Sequence, residues 1–144
     1  MEKQKFLVKG PISSDLIAGY LNRLGERKDT GGHSIFLGQV RDDTADGKIV
    51  TAIEYSAYTE MVEQEACRII DVTRGAFTDI RDIVVIHSTG LIKTGEISLF
   101  VMVTASHRDQ AIRGCRHVLE MIKENYPVWK KEIFEDSSHK WKDQ

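Results

Sequence analysis

The stretch Ile97-Ser-Leu-Phe-Val-Met-Val-Thr-Ala-Ser-His-Arg-Asp109 decides the fold, because the spacing of apolar residues changes inside it. Ile97 to Thr104 is an apolar run of strand length. From about Arg108 to Asn125 the positions Ile112, Cys115, Val118, Leu119 and Ile122 recur at helical spacing. Pro127 ends that helix and Val128 to Phe134 follows as a last strand. At the joint, Ser106-x-x-Asp109 has the form of a capping box, which places His107 and Arg108 in the helix's first turn.

Toward the amino terminus, Ile83 to Ile86 is β-branched throughout and forms a hairpin with Ile97–Thr104, with Gly90 and Gly95 bracketing the turn region. Thr59 to Phe77 carries Met61, Val62, Ala66, Ile69, Ile70 and Phe77 at helical period. Strict alternation puts Ile49, Thr51, Ile53 and Tyr55 on one face of a strand, after turn chemistry at Arg41 to Gly47. His33 to Val40 reads as a strand and Gly25 to Gly32 as a loop. A first helix starts at Ser13 or Ser14, carries Leu16, Ile17, Tyr20, Leu21 and Leu24, and stops at Gly25; Lys5 to Val8 is a short strand before it. This order predicts a two-layer α+β domain with a mixed sheet.

A chain of 144 residues has the length of one domain, residues 1–144, since domains run about 100–200 residues. The net charge of −2 argues against a protein that grips nucleic acid by non-specific phosphate contacts. The uncharged run Ile97 to Ala105 falls far short of the roughly 20 residues that span a bilayer, so no membrane association is expected. The amino-terminal stretch lacks the features of a secretory signal, which leads to a cytoplasmic expectation. Cys67 and Cys115 have no Cys-x-x-Cys spacing and read as buried free thiols. His33, His117 and His139 have no metal-like spacing and His87 reads as structural, so no metal is expected.

The basic residues carry the chemistry. Cations at a helix amino terminus oppose the macrodipole by roughly 0.3–1 kcal/mol each, so His107 and Arg108 call for a compensating anion. Either they form a phosphate or carboxylate receptor, or they are a solvated Arg and a backbone-satisfied His. Arg41 could bring a second guanidinium to the same anion, and Gly38 close backbone approach. Lys123 suits the negative end of its helix; Lys130 and Lys131 suit an exposed edge strand. In a strand those two point to opposite faces, so at most one joins a given pocket. A lysine partly buried beside Trp129 would have a lowered pKa, fitting proton transfer.

Phe36-Leu-Gly-x-Val-Arg41, Glu54-Tyr-x-Ala-Tyr58, Gly90 to Glu96, His107-Arg108-x-x-Ala111 and Lys123-x-x-x-Pro-x-Trp-Lys-Lys-Glu132, in that order, resemble the large, catalytic subunit of molybdopterin synthase, the MoaE family. The likeness runs from about Phe6 to Trp141. It implies an α/β-hammerhead type fold and a homodimer with a small ubiquitin-like sulfur-carrier subunit at each end, making a heterotetramer. It also implies conversion of cyclic pyranopterin monophosphate to molybdopterin, with two sulfurs donated by a thiocarboxylate at the carrier's C-terminal glycine, and no cofactor. On the same resemblance Lys123 and Lys130 are catalytic, Lys123 assisting proton transfer and Lys130 orienting the thiocarboxylate or stabilising negative charge. Arg41, His107 and Arg108 would bind the pterin and its phosphate, while Gln39, Val40, Lys131 and Glu132 line the pocket. Lys140 is the candidate for a basic residue lent by a dimer partner. The chain departs from the family at His87-Ser-Thr-Gly90, where His-Arg-x-Gly is common, and at Ser137, where glycine is usual. A non-catalytic module that holds a ubiquitin-like tail or a phosphorylated metabolite would use the same cations. Only the enzyme requires Lys123 and Lys130 to converge with Arg108 on one cleft.

Overall fold

The computed structural model describes residues 5–142. Residues 1–4, part of the stretch read for a secretory signal, and 143–144 lie outside the described residues. The elements are β1 (Leu7–Lys9), α1 (Ser14–Arg23), β2 (Gly32–Gln39), β3 (Thr44–Ala45), β4 (Lys48–Ala57), α2 (Thr59–Ala76), β5 (Ile80–Lys93), β6 (Ile97–Ala105), α3 (Arg108–Asn125), β7 (Val128–Phe134) and β8 (His139–Trp141). The expected α+β fold with a mixed sheet is present. Strands run in the order β2-β6-β5-β4-β7-β8, with β3 on β4 and β1 parallel to β5.

Alternation in the central strands builds a core on each face of the sheet. Ile83, Val85, Val101 and Val103 pack with Val62, Ala66 and Ile69 of α2 and Val118 and Ile122 of α3. Val84, Ile86, Phe100 and Met102 point the other way and meet Leu16, Ile17 and Tyr20 of α1. The layer of α2 and α3 on the sheet is thus joined by a helix covering the opposite face. Each such fully buried side chain is worth about 1.5–3 kcal/mol.

The hairpin of β5 and β6 forms as expected, but β5 continues through Gly90 to Lys93. Gly90 lies at φ +86°, where a Cβ would be strained, and at this bend the strand changes partners. Up to His87 it pairs with β6; from Gly90 it pairs with β4, Tyr55 opposite Gly90. That exchange lays Tyr55 beside His87, with ring centroids 5.1 Å apart.

Other expectations are corrected. A register shift between Val50 and Ala52 breaks the alternation of β4, so Val50 is buried while Ile49 and Thr51 face solvent. Met61, Leu21 and Ile112 are exposed at the margins of their helices' apolar faces. Gly25 does not stop α1, which tightens into a 3-10 turn over Leu24–Glu26. The strands β3 and β8 are too short to show a period in sequence. Cys115 is buried, but Cys67 is exposed on α2.

Candidate functional site

The carboxyl end of α3 and the start of β7 form the candidate site. The backbone N–H of Tyr126 bonds to the Ile122 carbonyl as the helix ends, Pro127 prevents continuation, and the chain turns directly into β7. Lys123 on the last turn is thereby brought near Lys130 on the strand. Pairing of β7 with β4 sets Lys130 opposite Tyr55 and Lys131 opposite Glu54. Lys131 lies 3.3 Å from the Glu54 carboxylate and over the Trp141 ring, so only Lys130 and Glu132 face inward.

Two cavities open there. One of about 300 Å³ is lined by Gln39, Val40, Arg41, Tyr55, Ser98 and Glu132. The other, of about 490 Å³, is more apolar and is lined by Phe36, Leu119, Ile122, Lys123 and Tyr126. His87, Leu99, Lys130 and Lys142 line both. Lys130 therefore stands on a shared wall, with Arg41 on one side and Lys123 on the other. The floor is fixed by hydrogen bonds: the Tyr55 hydroxyl donates to Ser98 Oγ at 3.2 Å, and the Ser98 hydroxyl donates to the Gly38 carbonyl at 3.5 Å.

Burial pushes the Lys130 amine below its ordinary pKa, and the charges of Lys142 and Lys123 push it further. Burial also lowers His87 to about 4, opposed by its bond to the Ser88 carbonyl and aided by Lys130, so its imidazole is neutral. Arg41 is mostly exposed and pairs with Asp43 at 3.3 Å. Among the described residues no ion pair joins Lys123, Lys130 or Lys142 to a carboxylate.

Lys142 and Ser98 carried no signal in the sequence, and Tyr55 and His87 were read there as strand-face and structural residues, not as lining of the cavities. Lys142 reaches the site because β8 folds back on β7 and its backbone N–H bonds to the Lys130 carbonyl at 2.9 Å. A strand of three residues after a turn at Ser137 gave no periodic signal. Lys140, chosen instead, lies 3.3 Å from the Asp46 carboxylate and lines neither cavity.

His107 and Arg108 lie at the opposite end of α3 from Lys123. Arg108 and Lys123 are fifteen residues apart on that helix, roughly 22 Å at 1.5 Å per residue. The capping box does not form, since His107 is the N-cap and receives no side-chain cap. Instead the His107 backbone N–H donates to Asp79 Oδ2 at 3.0 Å, its imidazole lies 3.6 Å from the same carboxylate, and Asp109 pairs with Arg113 at 3.2 Å. Hydrogen bonding from Ser106 and His107 holds the Asp79 carboxyl below its usual range. A Cβ on Gly32 would stand 2.9 Å from Arg108 Cα, so β2 also packs against this helix end. The anion that the sequence called for here is the chain's own carboxylate.

Neither cysteine lines the two cavities, and burial raises the Cys115 thiol. Among the described residues no cluster of three or more His, Cys, Asp or Glu could hold a metal ion. No helix among them is long and apolar enough to cross a membrane.

A family model described as MoaE protein matches residues 9–125. The molybdopterin synthase catalytic subunit of Thermoplasma volcanium is 38% identical over 121 residues, 84% of this chain and 86% of the relative. The crystal structure of molybdopterin synthase from Staphylococcus aureus matches all of both chains at 29% identity and a TM-score of 0.85. A complex of subunits 1 and 2 of the molybdopterin-converting factor of Helicobacter pylori matches 96% of this chain and 90% of that chain, at 17% identity and a TM-score of 0.80, and shares the fold.

Proposed function

The chain belongs to the MoaE family, and from that premise we propose how its two cavities divide the work of a molybdopterin synthase catalytic subunit. Such a subunit is a sulfur-transfer enzyme of molybdenum cofactor biosynthesis. Its substrate here is cyclic pyranopterin monophosphate, and its donor is the C-terminal glycine thiocarboxylate of a small sulfur-carrier partner. The product needs two sulfurs and each thiocarboxylate carries one, so two donors are consumed per turnover. No cysteine lies in the cavities to supply sulfur, which supports delivery by a partner.

The pterin and its phosphate occupy the smaller, polar cavity, against Arg41, Gln39 and Val40. The carrier's tail enters the apolar cavity and ends near Lys123 and Lys130. The observation that carries this assignment is that Lys130 walls both cavities, so donor and acceptor meet at one amine. Paired groups in unequal environments divide acid and base roles. Lys130, whose pKa is lowered, accepts the proton, while exposed Lys123 donates and balances developing negative charge, which exchanges the roles expected from sequence. Glu132 borders the pterin cavity; Lys131 contributes through its backbone in β7.

His107, Arg108 and Lys140 reach no reacting centre in their own chain, so their roles hold only across a homodimer, within a heterotetramer that also seats the carriers. We place this single domain in the cytoplasm. Mixing the chain with cyclic pyranopterin monophosphate and a thiocarboxylated carrier should yield the dithiolene product, and Lys123→Ala or Lys130→Ala should abolish it. Carrier binding without product would make the chain a binding module and end the assignment. Mixing Arg108→Ala with Lys130→Ala chains should regain part of the activity if sites are shared between copies.

A further inference from the structure

We propose that Asp46 and Lys48, in the turn between β3 and β4, are positioning residues for this reaction: they pin β8 and so hold Lys142 at the wall of the two cavities. The inference rests on the site assignment above and gives a role to the turn that the sequence marks at Arg41 to Gly47.

The turn is closely defined. Asp46 and Gly47 have φ of +54° and +76°, the signs of a type I′ hairpin turn, with Ala45 paired to Lys48 across it. Both charged residues reach the carboxyl-terminal segment. Asp46 Oδ2 lies 3.3 Å from the Lys140 amine on β8. Lys48 Nζ lies 2.9 Å from Asp136 Oδ2, donates to Ser138 Oγ at 3.0 Å and stands over the Phe134 ring. Asp136 also accepts from the Ser138 N–H at 2.9 Å, and the Glu135 N–H donates to the Ile49 carbonyl at 3.0 Å. Among the described residues, both ion pairs made by residues 135–142 end on this turn.

β8 has little else to hold it. His139, Lys140 and Trp141 are all exposed, so the strand buries no side chain, and such an element opens at low cost. Each exposed ion pair is weak alone, but it is in a strand of this kind that weak pairs decide the population. Lys140 stands opposite Glu132, on the face that borders the polar cavity. Two residues on, about 7 Å along the chain, Lys142 takes the same face. Its N–H bonds to the Lys130 carbonyl at 2.9 Å, and it lines both cavities. The Asp46–Lys140 pair is therefore the last ion pair before Lys142. The same loop also carries Arg41 and Asp43 to the polar cavity. One segment thus supplies a cation to that cavity directly, Arg41, and a second through β8, Lys142.

Amide hydrogen exchange in the full chain tests the anchor without substrate. Asp46→Asn keeps the left-handed turn and removes the charge, and Lys48→Met removes the amine. Each should speed exchange of the Lys142 N–H about two- to fivefold, and the two together about tenfold, while the amides of β5 and β6 exchange as in wild type. Lys48→Arg, which can still pair with Asp136, should leave the Lys142 rate within about twofold of wild type. An unchanged Lys142 rate in the double variant overturns the proposal, and so does equal acceleration through β5 and β6, the mark of a general loss of stability. In turnover with a thiocarboxylated carrier, Lys142→Met should raise KM for the pterin about tenfold and change kcat less than about twofold, the scale of one lost hydrogen bond to a charged group. The Asp46→Asn/Lys48→Met chain should move KM part of the way, and the same two substitutions in a Lys142→Met chain should move it no further. A further rise there, or a wild-type KM in the Lys142→Met chain, also overturns the proposal. A wild-type chain that makes no product would sink the parent assignment, and the exchange rates would then judge the anchor alone.

Discussion

The two ends of α3 carry similar cations and opposite electrostatics. At the amino end the His107 backbone N–H and imidazole both meet the chain's own Asp79 carboxylate. At the carboxyl end Lys123, Lys130 and Lys142 line one cavity, and among the described residues no ion pair joins any of the three to a carboxylate. A cluster of like charges costs stability unless a ligand of opposite charge completes it. Function is to be sought where charge is left unanswered, and counting basic residues in the sequence does not find that place.

The strongest way to break the contrast is to remove an amine from the carboxyl end. Lys130→Ala should reduce turnover by about 100- to 10,000-fold, the range for a lost acid–base group, measured as dithiolene product in single turnover. A comparable loss from Arg108→Ala, not relieved by mixing with Lys130→Ala chains, would erase the difference between the ends. The next largest effect is on stability. His87 titrates near its ordinary 6.5 when unfolded and at about 4 when folded, so below pH 6.5 the unfolded chain takes up a proton that the native chain refuses. Its contribution is fully present above pH 6.5 and is lost as pH falls toward 4, by about 3 kcal/mol at most. Urea unfolding across that range should show the slope in wild type and lose this part of it in His87→Phe.

Elements with a long period were legible in the sequence: α3 and β7 have the bounds read from Ile112 to Ile122 and from Pro127 onward. Contacts between distant segments were not. Ser106-x-x-Asp109 looked like a self-contained cap, but the carboxylate that serves His107 comes from Asp79, and Asp109 is drawn to Arg113 one turn on. The opposite faces of Lys130 and Lys131 follow from strand geometry alone and were readable. The place of Lys142 depends on β8 pairing with β7, and that of His87 on the bend of β5 at Gly90, neither of which leaves a periodic trace.

Two smaller perturbations sharpen the contrast by moving a carboxylate. Lys142→Glu would supply the missing partner to Lys130, and should raise the pH at which the Lys130-dependent limb of the rate profile appears and weaken pterin binding about tenfold. Lys142→Arg should leave both nearly as they are. Asp79→Ala does the reverse at the other end. It strips the acceptor from the His107 N–H and from the Ser106 hydroxyl, and so should cost about 1 kcal/mol, the usual scale for a lost helix cap. The loss should shrink in high salt only by the part due to the solvent-exposed His107 imidazole, because the backbone hydrogen bond is not a pair of full charges. If Asp79→Ala instead bound inorganic phosphate at His107 more tightly than wild type, the amino end would be a receptor held shut by its own carboxylate. Equal, weak binding by both chains would mean that Asp79 caps α3 and does nothing more.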